Sequence, residues 1–258
     1  MIDSEIIEER PAPGVALLRL NRPKTMNALD HDLRKALAKR FAALDEDDEI
    51  RAVVMTGSEK AFVAGSDLNY LAELTPKDHL INNSAILWNT LDAFTKPLIA
   101  AVNGYALGGG CELAMHADII IAGENSVFGQ PEIRVGIMPG AGGLQRLART
   151  IGRYKALKFV LTGERFSARE ADRLGLVSEL VADADVVPHA LELAGKIAGM
   201  PPLAVRMVKE AYRAGENASL DAALLIERHA FRLLFDTDDQ KEGMRAFLER
   251  RKPKFSGS

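Results

Sequence analysis

The sequence predicts an α/β fold, on three observations. Short apolar runs rich in Val and Ile recur through the first two-thirds of the chain, each too short for a typical helix. Stretches with the repeat of an amphipathic helix lie between them. From about Pro201 the strand-like runs stop and helical patterns succeed one another. Strands interleaved with helices place functional loops at the strand ends.

Taken in order, Val15–Leu20 reads as a strand ended by Asn21-Arg22-Pro23. Leu29, Leu33, Leu37, Phe41 and Leu44 then follow the helical period, and Asn27 with Asp30 three residues on supplies a capping signal. Residues 50–56 form a second apolar run closed by Gly57-Ser58, and residues 97–102 and 117–122 form two more. Residues 205–212 and 220–235 are helical patterns whose apolar content predicts packing against another surface. Pro201-Pro202 marks the boundary, giving a core over 1–200 and a helical region over 201–258.

Bulk composition narrows the function. Hydrophobic residues make up 47% of the 258 and charged residues 27%, a soluble globular balance. A formal charge of -3 gives no general attraction to nucleic acid or an anionic membrane, so an anionic ligand needs a local basic patch. Cys111 is the only cysteine, which excludes an intrachain disulfide and a cysteine metal cluster. The start, Met1-Ile2-Asp3-Ser4-Glu5, is acidic and lacks a secretory pattern, and no apolar run is long enough to span a bilayer. The expectation is a cytoplasmic protein, or an organellar one without its transit peptide.

The most unusual stretch is Asn103-Gly104-Tyr105-Ala106-Leu107-Gly108-Gly109-Gly110-Cys111-Glu112-Leu113. Three glycines between a strand and a helical run over 112–116 suit backbone that must approach a ligand, or amides that must face negative charge at a helix start. Tight helix–strand packing is the competing reading. Other chemistries fail on spacing. A dinucleotide fingerprint beginning at Gly108 needs glycine at Leu113, and Gly140-Ala141-Gly142-Gly143-Leu144-Gln145 ends on the wrong residue. There is no P-loop, Ser66 lacks the glycines of a nucleophile elbow, and histidines 31, 79, 116, 189 and 229 have no metal-ligand spacing.

Two carboxylates remain. Glu112 follows the glycines in the first helical turn, and Glu132 lies in a turn-like segment fixed by Pro131. Carboxylates in different surroundings form a common acid/base arrangement. The plain alternatives are a charge complementing the helix dipole for Glu112 and an ordinary loop carboxylate for Glu132.

Together these segments resemble the crotonase (enoyl-CoA hydratase/isomerase) family over essentially the whole chain. The resemblance rests on Leu20-Asn21-Arg22-Pro23-Lys24 with Asn27-Ala28-Leu29, on Ala61-Phe62-Val63-Ala64-Gly65-Ser66-Asp67-Leu68, and on Lys96-Pro97 through Asn103-Gly104 to Glu112-Leu113-Ala114. It continues in Phe128-Gly129-Gln130-Pro131-Glu132, Pro139-Gly140-Ala141-Gly142-Gly143, Leu161-Thr162-Gly163, Gly175-Leu176-Val177 and Glu242-Gly243-Met244-Arg245-Ala246-Phe247. It implies a crotonase (ClpP-like) spiral of ββα units with a helical C-terminal oligomerisation region that forms trimers, often paired into hexamers. It implies that the Ser66 and Gly109 amides form an oxyanion hole for the thioester carbonyl. Glu112 and Glu132 would hold the water added to a 2-enoyl-CoA, with no metal or redox cofactor and coenzyme A entering as part of the substrate. Lys24, Met26, Ala64, Gly65, Asp67, Leu68 and Lys252 would contact the CoA portion, Lys252 from a neighbouring subunit; a solvated charge is the plain alternative for the lysines.

Two departures stand out. Ser66 occupies a position where many hydratases have Ala. Arg134 stands where an uncharged residue is usual, and a structural ion pair is the favoured reading over recognition of a carboxylate on the acyl tail; the chain is also similar to bacterial hydratases of dehydroadipyl-CoA. The nearest rival activity is enoyl-CoA isomerisation, which commonly keeps one carboxylate. A different class, RNA binding through Arg34, Lys35, Lys39 and Arg40, is opposed by Asp45, Glu46, Asp47 and Asp48 directly after them, and a solvated helix face accounts for those cations.

Overall fold

The computed structural model describes residues 5–81 and 84–258. The acidic start read from the sequence therefore falls, but for Glu5, outside the described residues.

β1 (Ile6–Ala12) and β2 (Val15–Leu20) form an antiparallel pair at one edge of the main sheet. β1 escapes the sequence reading because Glu8, Glu9, Arg10 and Pro11 break its apolar alternation, as befits an exposed edge. α1 (His31–Glu46) follows, packing Leu33, Leu37, Phe41 and Leu44 inward. Its cap is Asp30, whose side chain accepts from the Leu33 amide at 2.8 Å. Asn27 does not cap it, because its amide is spent elsewhere: Nδ2 donates to the Ala61 and Phe62 carbonyls and Oδ1 accepts from the Arg22 amide.

Strands then come in pairs, one to each of two sheets. β3 (Ala52–Thr56) is followed by β4 (Ala61–Val63) and the short helices α2 (Leu68–Ala72), α3 (Pro76–Ile81) and α4 (Ile86–Ala93). β5 (Leu98–Val102) and β6 (Tyr105–Leu107) lead into α5 (Gly109–Met115), and β7 (Ile119–Gly123) and β8 (Val127–Gly129) lead into α6 (Gly143–Ile151) and α7 (Arg153–Thr162). β9 (Arg165–Ser167), α8 (Ala168–Arg173) and β10 (Glu179–Val181) close the series before α9 (Val186–Ala198). The main sheet runs β1-β2-β3-β5-β7-β10, parallel except at β1, and the smaller sheet runs β4-β6-β8-β9, antiparallel only at β9. Parallel pairing in both sheets, with a helix after each strand pair, is a spiral of ββα units.

Alternation divides the core. Val15, Leu17, Ala52, Val54, Ile99, Ala101 and Ile121 face α9, whose stripe Val186, Ala190, Ala194 and Ala198 lets the helix lie close. Their neighbours Ala16, Leu18, Val53, Met55, Ala100 and Ala122 face the larger core with Phe41, Phe62, Phe94 and Phe128. With both faces covered, the strands read as continuous apolar runs.

α10 (Pro202–Gly215), α11 (Leu220–Leu233) and α12 (Asp238–Leu248) follow the spiral. α10 is tied down by polar anchors: Lys209 donates to the Lys96 carbonyl and to Asp118, and Arg213 donates to the Phe94 carbonyl at 2.7 Å. Val208, Tyr212, Leu220, Phe231, Leu233, Phe247 and Leu248 stay exposed on these helices. Among the described residues no helix is long and apolar enough to cross a membrane.

Candidate active site

The site begins where two distant segments meet main chain to main chain. The loop after β4 is pinned to residues 26–29: Ala64 N donates to Met26 O at 3.0 Å, Leu29 N to Gly65 O at 2.9 Å and Asp67 N to Leu29 O at 3.0 Å. This pattern uses the Ala64 and Asp67 amides and leaves the Ser66 N–H outside the ladder. The glycine run supplies the partner segment. Gly108 has φ 50° and ψ −123°, a conformation that only glycine adopts readily, and the helix starts at Gly109, so two of the three glycines lie inside it. A Cβ on Gly110 would sit 2.0 Å from the Val63 carbonyl oxygen, so α5 rests directly on the end of β4. The glycines thus divide: Gly110 serves packing, and Gly109 leaves space beside Ser66. As the first residue of α5, Gly109 has an amide with no intrahelical acceptor. A Cβ there would lie 3.8 Å from Ser66 N and 3.0 Å from Ser66 Oγ. Two unspent amides are thus side by side at a helix N-terminus, an arrangement that stabilises a developing oxyanion.

Glu112 is on the same helix, 4% exposed. Its Oε1 accepts from the Ala141 amide at 2.7 Å and the Gly143 amide at 2.9 Å, at the start of α6. Burial raises its pKa; the amides of Gly143 and Ala141 and the positive charge of Arg34 oppose the shift without cancelling it. Glu132 opens a 3-10 segment, Glu132–Val135. Its Oε1 lies 2.9 Å from where a Gly108 Cβ would be, and Gly108 O accepts the Glu112 amide at 2.9 Å, so both carboxylates belong to one site. With its amide nitrogen turned toward Glu132, buried Gln130 donates to Oε1 at 3.0 Å and Oε2 at 3.2 Å. The Glu132 pKa rises to about 7, first through burial and further through the charge of Glu112, against the pull of its own backbone amide. Interacting carboxylates titrate as a pair, and of the two Glu132 is the one raised into the neutral range.

The remaining candidates fall into groups. Lys24 lies on the 3-10 turn Pro23–Thr25, Met26 is exposed with φ 50°, and Ala64, Gly65, Asp67 and Leu68 form the loop pinned beside them. Asp67 is structurally occupied as the cap of α2, accepting from the Asn69 and Tyr70 amides. Lys252 is exposed after α12, between Arg251 and Lys254, which both bind Glu242, and no hydrogen bond or ion pair among the described residues joins it to the others. Arg134 is exposed beside Gly163 and has no ion-pair partner among the described residues, which corrects the structural ion pair expected for it. Arg34 corrects a second expectation: it is buried, while Lys35 and Lys39 on the same helix are exposed. Burial pushes the Cys111 thiol up to about 12, far from a reactive thiolate. His116 Nδ1 donates to the Glu112 carbonyl at 2.8 Å, and the ring is held neutral, its pKa lowered by burial to about 4. Among the described residues no His, Cys, Asp or Glu group is placed to hold a metal.

Sequence reasoning missed the amides of Ala141 and Gly143 and the amide of Gln130. The 140–143 run was visible as a failed dinucleotide motif and as part of the family resemblance, but with no role attached; its amides form a carboxylate cradle, not a phosphate one.

The chain matches the Enoyl-CoA hydratase/isomerase family over residues 10–258. It is 47% identical to the 2,3-dehydroadipyl-CoA hydratase of Escherichia coli over 254 residues, covering 98% of this chain and 99% of that one. It is 43% identical to the short-chain-enoyl-CoA hydratase of Clostridium acetobutylicum, covering 92% of each. Among solved structures, an enoyl-CoA hydratase from Bacillus anthracis superposes with a TM-score of 0.94 at 37% identity, covering 98% of this chain and 100% of that chain. Fold, paired carboxylates and these likenesses agree: the chain belongs to the enoyl-CoA hydratase/isomerase family.

Proposed function

We propose that this protein is an enoyl-CoA hydratase, a lyase that reversibly adds water across the 2,3-double bond of a trans-2-enoyl-CoA to give a 3-hydroxyacyl-CoA. One observation carries the reading: a carboxylate pair, with Glu132 raised to about 7, stands beside two unspent amides. The amides of Ser66 and Gly109 receive the thioester oxygen and stabilise the charge that gathers there as the C3–O bond forms. Glu112 accepts a proton from the attacking water, the π electrons move toward the thioester, and protonated Glu132 delivers its proton to C2. The pair ends with as many protons as it began. Water and carboxylates supply all the chemistry, so the reaction calls for no metal or redox cofactor, and coenzyme A arrives with the substrate.

Lys24, Met26, Ala64, Gly65, Asp67 and Leu68 are assigned to the CoA portion, with Lys252 reaching it from a neighbouring subunit. The exposed apolar residues of α10 to α12 suit a homotrimer or a pair of trimers, and the acidic balance suits a cytoplasmic enzyme of fatty-acid β-oxidation with no nucleic-acid partner.

The test follows the absorbance of the conjugated thioester of crotonyl-CoA and of 2,3-dehydroadipyl-CoA. Wild type should consume at least one. Glu112→Gln and Glu132→Gln should each lose on the order of 10²–10⁴ in kcat, the range of a positioned acid or base, while still binding CoA. A wild type that binds both thioesters and leaves both double bonds intact would move the activity to isomerisation.

A further inference from the structure

Arg34 has no place in the reaction described so far, yet its position is unusual. Its guanidinium is buried, 8% exposed. Nη2 donates to Ser66 Oγ at 2.7 Å, the face of Trp88 lies 5.8 Å away, and Nε has no partner. Among the described residues no carboxylate forms an ion pair with it, although Glu112 and Asp30 are near enough to act on it through space. A buried guanidinium with no carboxylate bonded to it costs several kcal/mol, and anchoring a loop hydroxyl does not require one. The missing partner is negative.

The geometry supplies its place. Ser66 Oγ lies 3.0 Å from where a Gly109 Cβ would stand, in the space beside the two unspent amides. One lone pair of Oγ is taken by Arg34, and the hydroxyl proton has no acceptor among the described residues. A hydroxyl that accepts from a guanidinium is polarised toward donating.

We propose that the Ser66 hydroxyl is a third donor to the thioester oxygen, and that Arg34 is the positioning residue that orients and polarises it. The buried cation is then compensated when enolate charge forms, so its attraction is greatest in the transition state. This rests on the enoyl-CoA reading above. It also gives a use to serine at a position whose backbone amide alone would serve as well with alanine.

The test needs a readout apart from turnover. A conjugated push–pull thioester, para-dimethylaminocinnamoyl-CoA, absorbs further to the red as its carbonyl is polarised. Bound to wild type it should shift red; Ser66→Ala and Arg34→Met should each reduce the shift, and Ser66→Thr, which keeps the hydroxyl, should restore most of it. With crotonyl-CoA, Ser66→Ala should lose on the order of ten- to a hundredfold in kcat with KM within about twofold. The double variant should be no worse than Arg34→Met, because both changes remove one path. Full red shift and unchanged kcat in Ser66→Ala would overturn the proposal and leave Arg34 as a structural pin. Should Arg34→Met fail to fold, Ser66→Ala and Arg34→Lys carry the test. A wild type that shifts the probe but hydrates no enoyl-CoA would sink the hydratase reading alone, since the shift still decides the role of Arg34.

Discussion

Glu112 and Glu132 share one site but are held by opposite means. Glu112 sits on a rigid helix and is gripped by two amides of the 141–143 loop, with a guanidinium within electrostatic range. Glu132 sits on a short 3-10 segment whose side-chain donor is the single amide of Gln130. Hydrogen bonds to the charged form favour ionisation, and burial without them favours the proton. The difference teaches how two identical residues divide acid and base work: main-chain amides favour the charged form of one and their scarcity lets the other carry the proton.

The sharpest way to break that asymmetry is Gly143→Ala. A Cβ there would stand 2.7 Å from the far end of the Gln130 side-chain amide and 2.8 Å from Pro139 Cβ, in a buried position. The loop must shift, loosening both supports, and kcat should fall about 10²-fold with a stability loss of about 1–3 kcal/mol. Activity near wild type in a folded variant would show that the amide grip on Glu112 is unimportant.

Next in size is the pH dependence. Burial pushes Glu132 up to about 7, so kcat/KM for hydration should fall roughly tenfold per unit above that value as its proton is lost. Dehydration of the 3-hydroxyacyl-CoA should follow the same limb, because the net reaction carries no proton and the ratio of the two rates is fixed by equilibrium. A flat profile through that range would place the proton elsewhere.

The smallest effect is on stability. Burial raises the Glu132 pKa in the folded state, so the folded protein loses stability as pH rises from the unfolded value near 4.5 through about 7. Glu132→Gln removes that ionisation. The variant should be more stable than wild type by about 1–2 kcal/mol above neutrality, allowing for solvent screening, with the gain fading toward pH 4. Equal melting curves at pH 8 would contradict the raised pKa.

The fold was largely legible because the strands are buried on both faces and the α1 stripe is regular. Residues 50–56 and 97–102 contain β3 and β5, and residues 117–122 match β7 but for its last residue, with ends within two residues throughout. β1 was hidden by its charged edge, and α6 to α9 by short length and by alanine stripes that propensity reads weakly. Within the site, both carboxylates and the glycine run were visible as residue types. Their meeting was not, since the Glu112 grip comes from loop amides that have no side-chain signature. Arg34 was misread for a related reason: its neighbours Lys35 and Lys39 are solvent-facing, and only the packing of Ser66 and Trp88 reveals which turn of the helix points inward.

The contact between Gly110 and Val63 sets the distance between the Ser66 and Gly109 amides without any side chain taking part. An opening whose width is written in main chain is indifferent to mutation around it. Residues lining the acyl chain can drift toward longer, shorter or charged substrates while the activating machinery stays in tolerance. Selection can thus tune what the enzyme accepts separately from how it reacts, and the glycine that looks least informative in the sequence is what keeps those two inheritances apart.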